Sequence, residues 1–299
     1  MHSLPSIRTW SSRAAMLLAS LIVAWPVAVA RGEFKVGLVL DRGGKDDKSF
    51  NSSAYEGATR AKNKLGISLK YVESPDDNAF EPMLRAFALR EFDLIIGIGF
   101  AQKEAIQKVA AQFPQRHFAI VDAQVQAPNV RSLMFQEHEG AYVVGAIAAL
   151  TSKTGRIGFV GGIELPPIKA AYDGWVRGAQ AVNPKVEARQ IYLNSFDDAA
   201  AGREAALALI RVGADMLHHN ADAAALGLFQ AVKETPGVYA FGANSDQTQL
   251  APDRVLGSAI IAGAGLFVIW REHQLALALK TAAVVLPAAP GAATTPRMP

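Results

Sequence analysis

From Phe34 the sequence alternates between short apolar runs and longer amphipathic stretches, and no other feature limits its fold as strongly. "FKVGLVL" is apolar almost without a break, the pattern of a strand covered on both faces. "AYEGATRAKNKLG" then carries its apolar residues at helical spacing and stops at Gly66, a residue suited to a left-handed helix end. "ISLKYVES", "DLIIGIG", "HFAIVDA" and "VRSLMF" read as further strands, with "NAFEPMLRAFALREF" and "AQKEAIQKVAAQFP" as helices among them. After the long apolar helix "EHEGAYVVGAIAALTSK" the alternation restarts at "RIGFVGG" and runs through "VEARQIYLN", "ADMLHHN" and "GVYAFGA". Strand–helix–strand repeats need crossover connections, so the sheets must be parallel. The expected fold is α/β with two doubly wound parallel-sheet lobes. Lobe 1 takes residues 31–135, the chain crosses near Gln136, and lobe 2 takes residues 136–254. "VLGSAII" reads as a strand turning back, so residues 255–299 are expected to return to lobe 1.

The two ends break the pattern. "MHSLPSIRTWSSR" carries Arg8 and Arg13 and no acid, and the apolar "AAMLLASLIVAWPVAVA" closes on Ala28-Val29-Ala30, small residues at the spacing a signal peptidase accepts. The run is short for a membrane span and holds Pro26, so residues 1–30 are expected to be a cleaved signal peptide. Cysteine is absent, which excludes disulfides, thiolate chemistry and a lipid-bearing cysteine. The expected product is periplasmic and not a lipoprotein. At the other end, "AAPGAATTPRMP" has a Pro/Ala/Thr composition that cannot build a core.

With 51% hydrophobic and 19% charged residues in 299, and a net charge of only +3 without any long run of like charge, nothing points to a nucleic-acid partner. There is no phosphate-binding GxxxxGK[ST] loop, and "GFVGGIE" lacks dinucleotide-fingerprint spacing. No HExxH or GxSxG motif is present either, so no catalytic residues, cofactor or metal are expected. His218-His219, the paired histidines, suit a structural or stacking role better than a metal site.

Ligands of open parallel sheets gather beyond the carboxyl ends of the strands. Those ends carry Asp41, Phe100, Asp122, Phe196, Asp197, Asn220, Asp222, Asn244 and Asp246. Acids and amides recur there and cations are few. Phosphate would call for arginines or free helix N-termini. A rim of carboxylates and amides instead suits a neutral, hydroxyl-rich or amine-bearing ligand.

"DKSFNSSAYEG", together with "EGAYVVGAIAALTSKTGRIGFVGG", resembles the signature of the basic membrane protein family, the purine-nucleoside-binding branch of ABC transporter solute-binding proteins. The resemblance continues through "HFAIVD", "GADMLHHNADAAALGLFQA" and "SDQTQLAPDRVLGSAII", covering about Phe34 to Ile261. It implies a clamshell of the periplasmic-binding-protein type, monomeric, holding a nucleoside-like ligand in its cleft and passing it to a membrane permease. It also implies that Phe50 stacks on the base, that Asn51 reads its edge, and that Asp41 and Asp122 accept hydrogen bonds. Trp175 or His218 would supply the second-lobe ring, and Asn220, Asn244 and Asp246 its polar contacts. The chain departs from the family pattern at Asn244, where an acid is usual, and at Ile261, where a lysine is usual. Beyond about Ala262 the match is lost, as in a truncated or frame-shifted end. Two other readings remain open: a nucleoside- or sugar-processing enzyme using Asp41 and Asp122 as acid and base, and a ligand sensor built on the same clamshell.

Overall fold

The computed structural model describes residues 33–259. The expected signal peptide, Ile261 and the atypical tail lie outside the described residues. Among the described residues the first sheet holds five parallel strands, β1 (Lys35–Leu40), β2 (Ser68–Glu73), β3 (Leu94–Ile98), β4 (His117–Val121) and β5 (Val130–Leu133), in the order β2-β1-β3-β4-β5. Helix α1 (Phe50–Leu65) covers one face over Leu38, Leu40 and Ile98. Helices α2 (Phe80–Leu89) and α3 (Lys103–Gln112) cover the other, burying Phe80, Leu84, Ile95, Ile106, Phe118 and Ile120. Leu38, Val39 and Leu40 are all buried, as a central strand between two helical layers demands.

The second sheet is built the same way from β6 (Arg156–Gly161), β7 (Glu187–Tyr192), β8 (Met216–Asn220), β9 (Tyr239–Ala243) and β10 (Val255–Ala259), in the order β10-β9-β8-β6-β7. Helices α4 (Glu137–Thr151) and α5 (Pro166–Val182) pack on one face around Phe159, Trp175 and Phe241. On the other face α6 (Ala199–Arg211) and α7 (Ala225–Glu234) bury Leu209, Leu217, Leu228 and Phe229. Backbone contact between α4 and α5 depends on glycine: a Cβ at Gly174 or Gly178 would overlap the carbonyls of His138 or Tyr142.

One expectation is corrected. The strand at "VLGSA" does not turn back to the first sheet but pairs in parallel with β9 as an edge of the second. The link from β9 is short, one 3-10 turn (Thr248–Leu250), and Val255 is drawn into the cluster with Ala240 and Ala251. Backbone bonds from Ala240 N to the Arg254 carbonyl (2.9 Å) and from Asn244 N to the Ala259 carbonyl (3.0 Å) fix the register. Apolar periodicity identifies a strand but not the sheet it joins.

Each sheet has one point where the strand order reverses, between β1 and β3 in the first and between β6 and β8 in the second. The carboxyl ends at these reversals leave an opening that no crossover helix fills. Asp41 follows β1 and Gly99 follows β3; Gly162 follows β6 and Asn220 ends β8. These two openings form the walls of one cleft.

Candidate functional site

The cleft is lined from the first lobe by Asp41, Phe50, Gly99, Phe100 and Asp122, and from the second by Leu165, Pro167, Ile168, Phe196, Asn220, Asp222 and Asn244. Glu137, the first residue of α4, closes it at the crossover. Among the described residues the lining thus carries carboxyls on both sides and in the hinge, three phenyl rings, two amides and no Lys, Arg or His.

Local chemistry sets Phe50 in place. Asp47 caps α1: its Oδ1 accepts from the backbone N–H groups of Ser49 (2.8 Å) and Ser52 (2.9 Å), and its Oδ2 from that of Asn51 (2.8 Å). Asn51 is wholly buried beneath, accepting from Asp41 N at 2.8 Å and donating to the Arg42 carbonyl at 3.0 Å. It ties the end of β1 to the first turn of α1, so its amide is spent on the backbone and does not line the cleft. Phe50, half-buried, rests its ring against the Leu38/Leu40/Ile98 cluster while lining the cleft.

From the second lobe, Phe196 lines the cleft while packing into the core cluster with Phe159 and Trp175, so close to β6's end that a Cβ at Gly162 would overlap its ring. The second-lobe ring at the cleft is therefore Phe196. Trp175 and His218 are not in the cleft. Trp175 is a fully buried residue of α5, 5.1 Å from the His218 ring and 5.9 Å from that of Phe241. Helical spacing alone could not separate a core tryptophan from a ligand ring, and the core claimed it. His218 Nδ1–H donates to the Phe241 carbonyl (3.2 Å), and burial pushes its pKa down to about 4. His219 donates from Nε2 to Gln247 Oε1 (2.8 Å) and is pushed down to about 3, first by burial and then by His218. The pair is neutral and built into the core. Asp246 is exposed and accepts from Thr248 N at 3.0 Å, a turn acid outside the cleft.

The carboxyls are held out of water. Burial lifts Asp41 to about 6 against the opposing pull of its Arg42 neighbour. Asp122 rises to about 8, through burial and then the charge of Glu137, whose own carboxyl is also raised by burial. Asp122 Oδ1 and Glu137 Oε1 are both buried and have no hydrogen-bond partner among the described residues. Asp222 rises to about 8, through burial and then the charge of Asp47. Asp122, Asp222 and Asn244 all have left-handed backbones, with φ of 61, 45 and 66°. Such conformations cost energy and persist where the surroundings fix them, commonly at ligand sites. Phe196 and Asp222 stand at strand ends and were visible to that rule. Glu137 was not, because its partner Asp122 belongs to another lobe's strand.

The arrangement brings phenyl rings from both lobes to one cleft with hydrogen-bond acceptors around them. It selects a ligand that has a π-face and several N–H or O–H donors.

Residues 34–270 match the family of PnrA-like substrate-binding proteins of ABC transporters. The chain is 36% identical over 229 residues to basic membrane protein A of Borreliella burgdorferi, covering 75% of this chain and 67% of that one. It is 32% identical over 230 residues to the ABC transporter nucleoside-binding protein BmpA of Lactococcus lactis, covering 73% and 66%. A CD4+ T-cell-stimulating antigen of Listeria monocytogenes is 34% identical over 227 residues, covering 72% of this chain and 64% of the relative. The chain thus spans about two thirds of the length of the curated relatives it matches. Among solved structures, an ABC transporter solute-binding protein from Aeropyrum pernix superposes with a TM-score of 0.71 at 31% identity, covering 75% of this chain and 66% of that one. The chain belongs to the PnrA-like substrate-binding proteins of ABC transporters.

Proposed function

We propose that the protein is an exported receptor that grips a purine-nucleoside-like ligand, unreacted, between its two lobes and presents it to the permease of an ABC importer. The observation that carries this reading is the pairing of Phe50 and Phe196 on opposite walls of a cleft ringed by acceptors. A purine between the two rings gains offset stacking worth roughly 0.5–1.5 kcal/mol per ring beyond its buried area. Asp41, Asp122, Glu137 and Asp222 accept from ribose hydroxyls and base N–H groups, while Asn220 and Asn244 can both donate and accept. The absence of any cation among the described lining residues, several of them carboxyls, disfavours a nucleotide's phosphate. The nucleoside-binding relative from Lactococcus lactis supports the same ligand class.

Binding requires movement. The cleft encloses a cavity of about 40 Å³, whereas a cavity that takes a single benzene ring is about 150 Å³. The lobes must part to admit a purine, and ligand affinity is then the difference between the two states. A thermal-shift screen of nucleosides, bases and nucleotides tests the reading, with chromatography of the recovered ligand. Guanosine or another nucleoside at a hundred times its Kd raises stability by roughly 2.7 kcal/mol and returns intact. A response to nucleotides alone, or release of free base, would replace the receptor reading with another.

A further inference from the structure

We infer that the first lobe carries a second ligand site, away from the cleft, that takes an unbranched monocarboxylate of the fatty-acid class. It stands apart from the nucleoside reading and does not depend on it. The site is a hollow of about 340 Å³ between α2 and the edge strand β2. Small-molecule pockets usually measure about 300–1,000 Å³ and are mainly apolar with a few polar groups.

The hollow follows from a mismatch between helix and sheet. One apolar stripe is enough for α2 to cover the sheet, and the buried Phe80, Leu84, Phe87 and Ala88 supply it. Its apolar surface continues past that stripe: Pro82 is exposed, and Met83 and Ala86 are half-buried. These three line the hollow with Phe87 and with Val72 of β2, whose register partner Val39 lies in the cluster under α2 and α3. No strand lies beyond β2 among the described residues, so this flank of α2 has no sheet beneath it. Met83 is unbranched and turns about three bonds, which lets the wall follow a flexible chain.

The two ends of the hollow differ in charge. Arg90 lines it where α2 stops. Lys70 stands on the same side of the sheet, in register with Gly37, where a Cβ would overlap the Phe87 ring. Both are exposed, and neither has a carboxylate within ion-pair distance among the described residues. Other cations at this helix are matched: Arg85 pairs with Glu81 at 2.6 Å and Lys108 with the same carboxylate at 2.7 Å. A free guanidinium at the edge of an apolar wall suits a carboxylate, which it can hold through two parallel hydrogen bonds. At the far end, about 16 Å along the helix, Ala79 lies beside Asp76, which caps it, and Asp77, which pairs with Arg42 at 3.3 Å. A second acid would meet carboxylates there, so the ligand has one charged end and an apolar tail.

The test is calorimetric titration of sodium decanoate, below its micelle concentration, into delipidated protein at low salt. One molecule per chain is expected, with decanol and decanedioate roughly fivefold weaker. Lys70→Gln combined with Arg90→Gln should weaken decanoate about tenfold and leave decanol unchanged. Ala86→Trp, which fills the hollow, should abolish decanoate binding while guanosine binding stays as in the wild type. Should Ala86→Trp fail to fold, Pro82→Trp at the exposed lip carries the same test. No binding of decanoate to the wild type, equal affinity for decanol, or full binding in a folded Ala86→Trp variant would overturn the proposal. So would adsorption to anionic vesicles without binding of monomeric decanoate, which would assign the hollow to a membrane surface. If guanosine does not bind the wild type, the nucleoside reading fails and the decanoate titration still decides this site.

Discussion

Replacing Asp122 with Asn tests the electrostatics of the cleft. In the folded protein burial holds the Asp122 carboxyl up to about 8 and raises Glu137 as well, so the pair retains a proton near neutrality. In the unfolded chain both carboxyls, near pKa 4, are ionised by pH 6. The folded state therefore binds more protons between about pH 5 and 8, and stability falls as pH rises through that window. One extra proton held across three pH units corresponds to at most about 4 kcal/mol. At 2–4 °C per kcal/mol for a body of this size, that is a fall in Tm of about 8–16 °C. Asp222, also lifted to about 8, acts in the same direction, and Asp41, lifted to about 6, adds to the lower part of the range. Asp122→Asn puts a neutral amide beside Glu137 in place of an acid and removes the proton that Asp122 holds. The variant should lose a third or more of the slope and melt above the wild type at pH 8. The assay is calorimetric melting of ligand-stripped protein from pH 5 to 8 at constant ionic strength. A wild-type Tm that is flat or rising over this range, or a variant with the full wild-type slope, would refute the reasoning.

Two further substitutions separate core from cleft. Trp175→Ala removes a fully buried ring and should cost about 3–5 kcal/mol, read as a large drop in Tm, while guanosine affinity of the folded fraction changes less than about threefold; selective loss of binding would return Trp175 to the site. Asn51→Ala leaves the Asp41 N–H without its acceptor and should cost about 1–3 kcal/mol in a denaturant titration; an unchanged midpoint would show that the amide does not hold the strand end.

Much of this was legible in the chain. "FKVGLVL", "DLIIGIG" and "RIGFVGG" are apolar because helices cover both their faces, and that regularity yielded both sheets. The strand-end rule placed Asp41, Asp122, Asn220 and Asn244, all of which line the cleft. It could not rank the rings. Trp175 and His218 are as apolar in pattern as any ligand wall, but packing turned Trp175 of α5 and His218 of β8 into the core, and Phe196, past a strand end, lines the cleft. Asn51 sits one residue from a cleft ring yet faces inward, because a helix turns by about 100° per residue. Glu137 and the bond from Ser49 Oγ to Asp222 Oδ1 at 2.9 Å depend on residues brought together from different lobes. Local sequence carries no signal for such meetings.

The most direct test of the central claim is a calorimetric titration of guanosine into the wild type, Phe50→Ala and Phe196→Ala, with the nucleoside analysed afterwards. The account predicts one site per chain, an affinity at least about tenfold weaker in each variant, and intact guanosine throughout. Wild-type affinity in both variants, or guanosine split into base and sugar, would contradict it.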